Sequence, residues 1–487
     1  MLQVDNDIGA IKHEVLKEVA RLAYNGELEQ KQDQIPYNLL PGPQALFRCC
    51  VYKEREVMRQ RIRLAQGMSP IAGKDDRNIV QILPAACEGC PITRFVVTDN
   101  CQRCVGKRCQ NACNFKAISM LRDRAYIDPS KCRECGKCAQ ACPYNAIADL
   151  MRPCKRSCPV DAISMDENNL VLIDEEKCIS CGACIKNCPF GAISDRSFMV
   201  DVIRLIQSGA EVYAMLAPAV EGQFGPQASI GILSEALKEL GFAGTFEVSI
   251  GADLVATSEA EEWAEAYKEG KKMTTSCCPA FVNMVKKMFP TLVDHISTTV
   301  SPMQATSKLI KALHPNAITV FIGPCIAKKS EVLGMISSDG MTDYALTFDE
   351  LYSMFLAKNI DLNSFGQNIQ QGSIYAKNFA VAGGVTNAVM QVYKEKNIDA
   401  SSITVQGCNG AAECKKALML LRAGKLPADF IEGMACEGGC VNGPGSALTG
   451  KPAAQNRSKL LAVADKRNIS DNVEQYKDQE LQLHYKR

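Results

Sequence analysis

The chain has 487 residues, 47% of them hydrophobic and 22% charged, with 25 cysteines and a formal net charge of +1. That balance is globular, leaves room for two or three domains, and offers no electrostatic footprint for nucleic acid or an anionic membrane. No run approaches about 18 uninterrupted apolar residues, so no membrane-spanning helix is expected.

The first 84 residues read as a helical region. IKHEVLKEVARLA and YKEREVMRQRIRLAQ carry apolar residues at helical spacing, on either side of a Pro-rich loop. The N-terminus, MLQVDNDIGAIKHEVLKEVARLAYNGELEQ, has no apolar core of signal-peptide length and no twin arginine. Cys49 and Cys50 lie in LFRCCVYKERE, which reads as helix. Adjacent helical side chains diverge by about 100° and seldom share a metal, so buried or incidental thiols are expected there.

Residues 85–195 carry a cysteine ladder twice: Cys132, Cys135, Cys138, Cys142-Pro143 and Cys178, Cys181, Cys184, Cys188-Pro189. This is the bacterial ferredoxin spacing, in which three cysteines wrap one cubane and the fourth serves its neighbour. A disulfide framework is the poorer reading, because disulfide-dense chains are usually short and secreted. Thiolates loaded with iron imply a reducing compartment, hence a cytoplasmic protein. The segment repeats internally: CQNACNFKAISMLRDRAYIDPSKC is echoed by CKRSCPVDAISMDENNLVLIDEEKC, giving two small modules held by clusters more than by a core.

The exchange rule assigns the ligands. Cys101, Cys104 and Cys109 are completed by Cys142, and Cys132, Cys135 and Cys138 by Cys113. The wide Cys104–Cys109 gap and the absence of proline after Cys113 depart from the pattern. Cys178, Cys181 and Cys184 take Cys158. Cys154 and Cys188 then lack two ligands, which Cys87 and Cys90 can supply; the other reading gives those two a zinc or nothing.

Beyond about residue 200 the pattern becomes α/β. EVYAMLAPAV, AITVFIGPC and NFAVAGGV read as strands, ILSEALKEL and ELYSMFLAK as helices. Five cysteines lie in three short loops, TTSCCPAFV, FIGPCIAKKSE and EGMACEGGCVNGPG, whose small residues let backbone approach a bulky inorganic group. Cys408 and Cys414 read as ordinary thiols, Met284 and Met288 as core, and the four histidines show no ligand spacing. Lys328 and Lys329, taken alone, read as surface charges.

Together these loops resemble the signature motifs of the iron-only (FeFe) hydrogenases, over roughly residues 85–450, and their TSCCPAF and GPC forms are similar to the branch called group B. The resemblance implies an H-cluster, a 4Fe–4S cubane bridged by a cysteine sulfur to a di-iron unit with CO, CN and azadithiolate ligands. By motif position Cys278, Cys325, Cys436 and Cys440 would hold the cubane, with Cys440 as the bridge. Cys277 would relay protons, and Lys328 would donate to a cyanide, since a buried lysine needs an anionic acceptor. Ala217, Pro218 and Pro324 would line the cofactor, with Phe379 and Met434 packed round the di-iron. Glu259, Glu262 and Ser297 match the family's proton path; the two glutamates, three apart, share one helix face.

Several residues depart from the family: Gly323 for methionine, Ala219 for serine, Met303 for glutamine, GCVNGPG in the third loop, and Ala266 where an arginine usually ends the proton path. These positions tune potential and relay speed rather than hold metal.

The expected architecture is α+β and multidomain. An N-terminal helical segment (1–84) precedes two tandem 2×(4Fe–4S) ferredoxin-like modules (85–195), an α/β H-cluster domain of two lobes (196–455) and a C-terminal tail (456–487). The implied activity is reversible oxidation and evolution of H₂, anaerobic, with four accessory 4Fe–4S clusters exchanging electrons with ferredoxin. Di-iron maturation proteins would be further partners. No Gly-rich dinucleotide fingerprint is present, so NAD(P) is not the direct partner. Two other classes stay open. A slow-turnover hydrogen sensor usually carries an appended signalling domain, and only a short tail follows the last motif. Iron–sulfur assembly relatives lack the complete loop set, whereas Cys277, Cys325, Lys328 and Cys440 are all present.

Overall fold

A computed structural model describes residues 7–74, 78–91, 93–335, 340–366, 371–464 and 466–485, so the opening MLQVDN lies outside the described residues. The two amphipathic patterns form helices Asp7–Tyr24 and Val51–Ala65. The first packs against helix Phe348–Ala357, far along the chain, and buries Val15, Val19 and Ala20 in the main core. Cys49 and Cys50 do not lie on a helix as expected, and of the two readings given them, buried or incidental, they are not buried. Both are exposed, and Cys50, in extended backbone, precedes the first helical turn. The helix starts there because Glu54 folds back to accept the amides of Leu46, Phe47 and Arg48.

The ladder region is built from two-stranded antiparallel pairs: Ile118–Met120 with Ala125–Ile127, and Ile163–Met165 with Val171–Ile173. Phe95–Val97 pairs with Ile147–Asp149 and closes the first module. Val80–Ile82 pairs with Ile193–Asp195 and ties the second module to the N-terminal region. The repeat extends to single bonds. Cys113, Cys142, Cys158 and Cys188 each accept the amide of the alanine four residues on, at 3.4, 3.4, 3.2 and 3.3 Å.

The C-terminal half has two lobes, each with a parallel sheet. One is ordered Gly244–Glu247, Val212–Leu216, Ile318–Ile322, Tyr344–Leu346; the other Met273–Thr274, Phe430–Met434, Val405–Asn409. The central strands Val212–Leu216 and Ile318–Ile322 are near-continuous buried runs, as strands covered on both faces require, whereas the edge strands Gly244–Glu247 and Val405–Asn409 are more exposed. NFAVAGGV is not the strand its composition predicts. Asn378–Ala380 is a 3₁₀ turn, and Gly383, at φ 85°, opens helix Gly384–Glu395. A side chain at Gly384 would strike the Asn378 carbonyl, so this turn closes only on a glycine. Near the C-terminus, residues 483–485 lie antiparallel to 298–300: Val300 donates to the Leu483 carbonyl and Tyr485 to that of Thr298, both at 2.8 Å. No helix among the described residues is long and apolar enough to cross a membrane.

Candidate functional site

Four loops leave the carboxyl ends of parallel strands and converge between the lobes. Ser276–Cys278 follows Met273–Thr274, Gly323–Cys325 follows Ile318–Ile322, Ala435–Cys436 follows Phe430–Met434, and Ala217–Pro218 follows Val212–Leu216. This end of an open α/β sheet is where ligands bind, because strand order and helix placement leave a crevice there. The crevice is a cavity of about 810 Å³ including its mouth. Its wall carries Cys277, Cys278, Cys325, Cys436 and Cys440 together with Ala217, Pro218, Pro324, Lys328, Phe379 and Met434. The structure therefore brings together the cofactor-lining residues read from the sequence.

The third loop is held by close backbone approach. A side chain at Gly439, at φ 96°, would meet the Ala380 carbonyl at 2.5 Å, and one at Gly443 would meet that of Pro324 at 2.4 Å. Gly445 donates to the Pro324 carbonyl at 2.9 Å, so the second and third loops are locked to each other.

Burial pushes the Cys325 thiol up to about 11, with the charge of Cys278 adding to it and the Lys328 ammonium opposing. Cys436 and Cys440 are raised further, by burial and then by Cys325 and Cys278, with Cys440 also acting on Cys436. Cys325, Cys436 and Cys440, crowded in the crevice, resist ionising one by one. A cationic centre bound by them together with Cys278 removes that penalty, and this donor set fits an iron–sulfur cubane.

Adjacent Cys277 and Cys278 face different ways. Cys277 packs on the apolar cluster around Trp263, Cys278 on the one around Phe281. Burial raises the Cys277 thiol well above its usual range, and Glu259, Cys278, Glu432 and Cys440 add repulsion. It is held as a neutral S–H. Glu259, fully buried in helix Val248–Lys268, accepts the Ser276 amide at 3.4 Å. Glu262, three residues on, accepts from Ser297 Oγ at 2.6 Å, the Thr298 amide at 2.7 Å, Thr298 Oγ1 at 2.9 Å and Thr299 Oγ1 at 3.1 Å.

Lys328 donates to Ser301 Oγ at 2.8 Å and to Glu331 Oε2 at 2.7 Å. Its anionic acceptor is therefore protein-borne, and one of its three ammonium protons remains for the cavity it lines. The surface reading of Lys328 and Lys329 does not hold. Lys329 is fully buried, paired to Asp195 at 2.7 Å and Glu350 at 2.9 Å, and joins the end of the second module to the catalytic lobe.

The departures from the family are compensated. A side chain at Gly323 would strike the Phe321 ring at 2.6 Å and Ala217 Cβ at 2.8 Å, so that ring occupies the space beside Gly323. Met303 is fully buried on the cavity wall. Pro444 abuts the second ladder: a side chain at Gly182 would meet its ring at 2.5 Å. Ala266 is buried near Trp263, so that position faces core rather than solvent.

The ladder cysteines group by mutual charge. Beyond burial, Cys109 feels Cys142 and Cys101, with Cys104 partly buried in the loop between. Cys138 feels Cys132 and Cys113, and all three line one small cavity with Cys135. Burial raises Cys154 to about 11, and Cys188, Cys90 and Cys87 add to it. Burial raises Cys181 to about 12, with Cys178 and Cys158 contributing, and Cys184 higher still. These are electrostatic neighbours among the ladder cysteines, and no group of three or more His, Cys, Asp or Glu side chains stands close enough to hold a single metal ion among the described residues. Cys181 also lines the central cavity and acts on Cys436, so the second module's last grouping touches the site.

Several residues of the site carried no sequence signal. Lys377, two residues before Phe379, is buried between Glu221 at 2.7 Å and Glu247 at 2.9 Å and anchors that turn. Glu432 accepts the Gly383 and Thr386 amides and faces Cys277. Cys408 and Cys414 are both buried, in the apolar cluster that Cys278 contacts.

The family described as "Iron only hydrogenase large subunit, C-terminal domain" matches residues 210–444. A 4Fe–4S binding domain matches 125–148, and the LdpA Fe–S cluster-binding domain 148–199. The periplasmic [Fe] hydrogenase large subunit of Nitratidesulfovibrio vulgaris is 32% identical over 70% of this chain and 91% of its own. Iron hydrogenase 1 of Clostridium pasteurianum is 29% identical over 66% of this chain and 64% of its own. A probable cytosolic Fe–S cluster assembly factor of Drosophila mojavensis is 23% identical over 50% and 62%. In fold, the chain superposes on the [FeFe]-hydrogenase HydA1 of Chlamydomonas reinhardtii, variant E141A, with a TM-score of 0.50 and 21% identity, over 59% of this chain and 98% of that one. With the iron–sulfur ladder in front and the thiol-lined crevice between two lobes behind it, the chain belongs to the iron-only hydrogenase family.

Proposed function

We propose that this chain catalyses the reversible reaction 2H⁺ + 2e⁻ ⇌ H₂ at an H-cluster held in the central cavity. The observation that carries the reading is the convergence of Cys278, Cys325, Cys436 and Cys440 beside a fifth, neutral thiol and a buried ammonium. When bound, the cluster supplies a Lewis-acidic iron and a basic bridge amine, between which H₂ is split or formed.

The protein's own residues do the rest. The four thiolates would hold the cubane, with Cys440 at the di-iron side. Lys328, steadied by Glu331 and Ser301, would offer its remaining proton to the anionic ligands of the group. Ala217, Pro218, Pro324, Phe379 and Met434 exclude water, which keeps the amine basic and the positioning strict. Cys277 S–H would hold the proton at the cofactor side, and Glu259, then Ser297 and Glu262, resupply it. Each hop needs hydrogen-bond reach, which Ser297 and Glu262 have at 2.6 Å. Four accessory 4Fe–4S clusters carry electrons between the site and a ferredoxin in a reducing, cytoplasmic setting. Separate maturation proteins deliver the di-iron unit. The division into 1–84, 85–195, 196–455 and 456–487 belongs to the same reading.

Infrared spectroscopy of chain matured with the di-iron cofactor tests it, alongside H₂ evolution from reduced ferredoxin. CO and CN stretches with turnover support the proposal. Chain that binds cubanes but shows neither stretch is an assembly factor, the reading the Drosophila relative favours. Stretches with very slow turnover mark a sensor.

A further inference from the structure

We infer that His484 is the solvent-side proton carrier of this path, in place of the arginine whose position Ala266 occupies; the inference rests on the proposed hydrogen chemistry. Ala266 is buried against the Trp263 cluster and offers solvent no titratable group. What reaches the mouth instead is the segment 483–485, laid antiparallel on 298–300. His484 is exposed at that edge.

Both ring nitrogens connect to the same carboxylate by separate hydroxyl routes. Nδ1 lies 2.9 Å from Thr298 Oγ1, which donates to Glu262 Oε1 at 2.9 Å. Nε2 lies 3.4 Å from Ser258 Oγ, itself 3.0 Å from Thr299 Oγ1, which donates to Glu262 Oε2 at 3.1 Å. The inner face of Glu262 holds Ser297. A side chain placed only to pin the strand would not need two such routes. The two backbone hydrogen bonds and Leu483, packed with Ile250, Leu254 and Leu309, already secure it.

The proton balance is simple. An imidazolium N–H bond breaks at Nδ1 as Thr298 Oγ1 takes that proton and releases its own to Glu262 Oε1. The hydroxyl ends neutral, Glu262 ends protonated, and the neutral imidazole is recharged from water. The reverse sequence discharges protons during H₂ oxidation. A histidine suits this place because either ring nitrogen can release or take up a proton, so a carrier meeting solvent works in both directions.

The experiment uses the full, matured chain and compares wild type with His484→Gln, His484→Ala and Thr298→Val. His484→Gln is expected to lower H₂ turnover per di-iron by about tenfold or more. Thr298→Val, which leaves the Ser258–Thr299 route, loses less. Free imidazole restores His484→Ala. The infrared bands keep their positions, but their relaxation after a pH jump slows in His484→Gln, and amide exchange at Val300 and Tyr485 stays that of wild type. If His484→Ala instead loosens that strand, His484→Gln decides. Turnover and relaxation within twofold of wild type, with CO and CN bands present, overturn this inference alone. Absence of those bands in wild type overturns both it and the proposed function.

Discussion

Cys87 and Cys90 carry the most exposed consequence of the ligand assignment, because no ladder spacing marks them. The structure sets them against Cys154 and Cys188. Replacing both by serine removes two of four thiolates from one grouping and leaves the others whole. Five cubanes and a di-iron unit amount to about 22 irons per chain, so the double variant is expected to hold about 18. Cys87 and Cys154 are each 5% exposed within the main core, so losing their shared centre also leaves buried polar groups and lowers the melting temperature. Cys184 feels Cys154, which makes this site a neighbour of the one beside the cavity. Turnover driven by reduced ferredoxin is therefore expected to fall further than turnover driven by a small reductant that reaches the cavity directly. The assays are iron and sulfide per chain, integrated EPR of the reduced protein, and the two rates side by side. Iron within one atom of wild type, with an unchanged EPR integral, would refute the fourth grouping and leave Cys87 and Cys90 as a zinc site or plain thiols.

Cys277→Ala removes a proton carrier and no iron ligand, so CO and CN bands persist while turnover drops by orders of magnitude; Cys278→Ala loses the cubane and the bands with it. Glu259→Ala cripples turnover with an intact infrared signature, and activity within about threefold of wild type, under roughly 0.7 kcal/mol of barrier, would make the glutamate mere packing. Lys329→Met leaves Asp195 and Glu350 buried without their shared cation. It is expected to cost about 3–5 kcal/mol, read from the denaturant midpoint. Burial raises the Asp253 carboxyl to about 6, against donors from Ser373 and Asn472 that pull it down. The folded chain thus holds that proton more tightly than the unfolded one. Its contribution is whole below about pH 4 and is lost as pH rises through about 6, worth about 3 kcal/mol. Asp253→Asn flattens this part of the melting-temperature profile, and an unchanged slope would assign it to other groups.

What the sequence disclosed is what metal chemistry forces into short spacings. Three cysteines must wrap one cubane within a few residues, so the ladders and the loops around Cys278, Cys325 and Cys440 announce themselves. The helix face joining Glu259 to Glu262 is likewise local. Contacts that close over long separations left no such trace. Lys329 looks like any lysine until the fold brings Asp195 and Glu350 to it from 134 and 21 residues away. NFAVAGGV has strand composition, but Gly384 packs onto the Asn378 carbonyl and bends it into a turn. Cys49 and Cys50 were misplaced because the run of charged helix formers after them hides where Glu54 caps the start. The imidazole that reaches Glu262 through the Thr298 hydroxyl comes from more than 200 residues downstream of that glutamate, beyond any periodicity argument.

The contact between Gly182 and Pro444 joins the second ladder and the third loop into one mechanical unit. Gly182 sits between two cysteines of that ladder, Cys181 and Cys184, and Pro444 follows Cys440 by four residues. Lys186 reaches the Asn442 carbonyl across the same joint at 3.5 Å. On the proposed reading, any rearrangement of the third loop when a di-iron unit is inserted is therefore transmitted to a cluster of the second ladder. That cluster becomes a built-in reporter: its EPR line shape is expected to change on maturation although none of its ligands does. A ladder exchanged for one with a different surface here would arrive with the wrong shape at this contact.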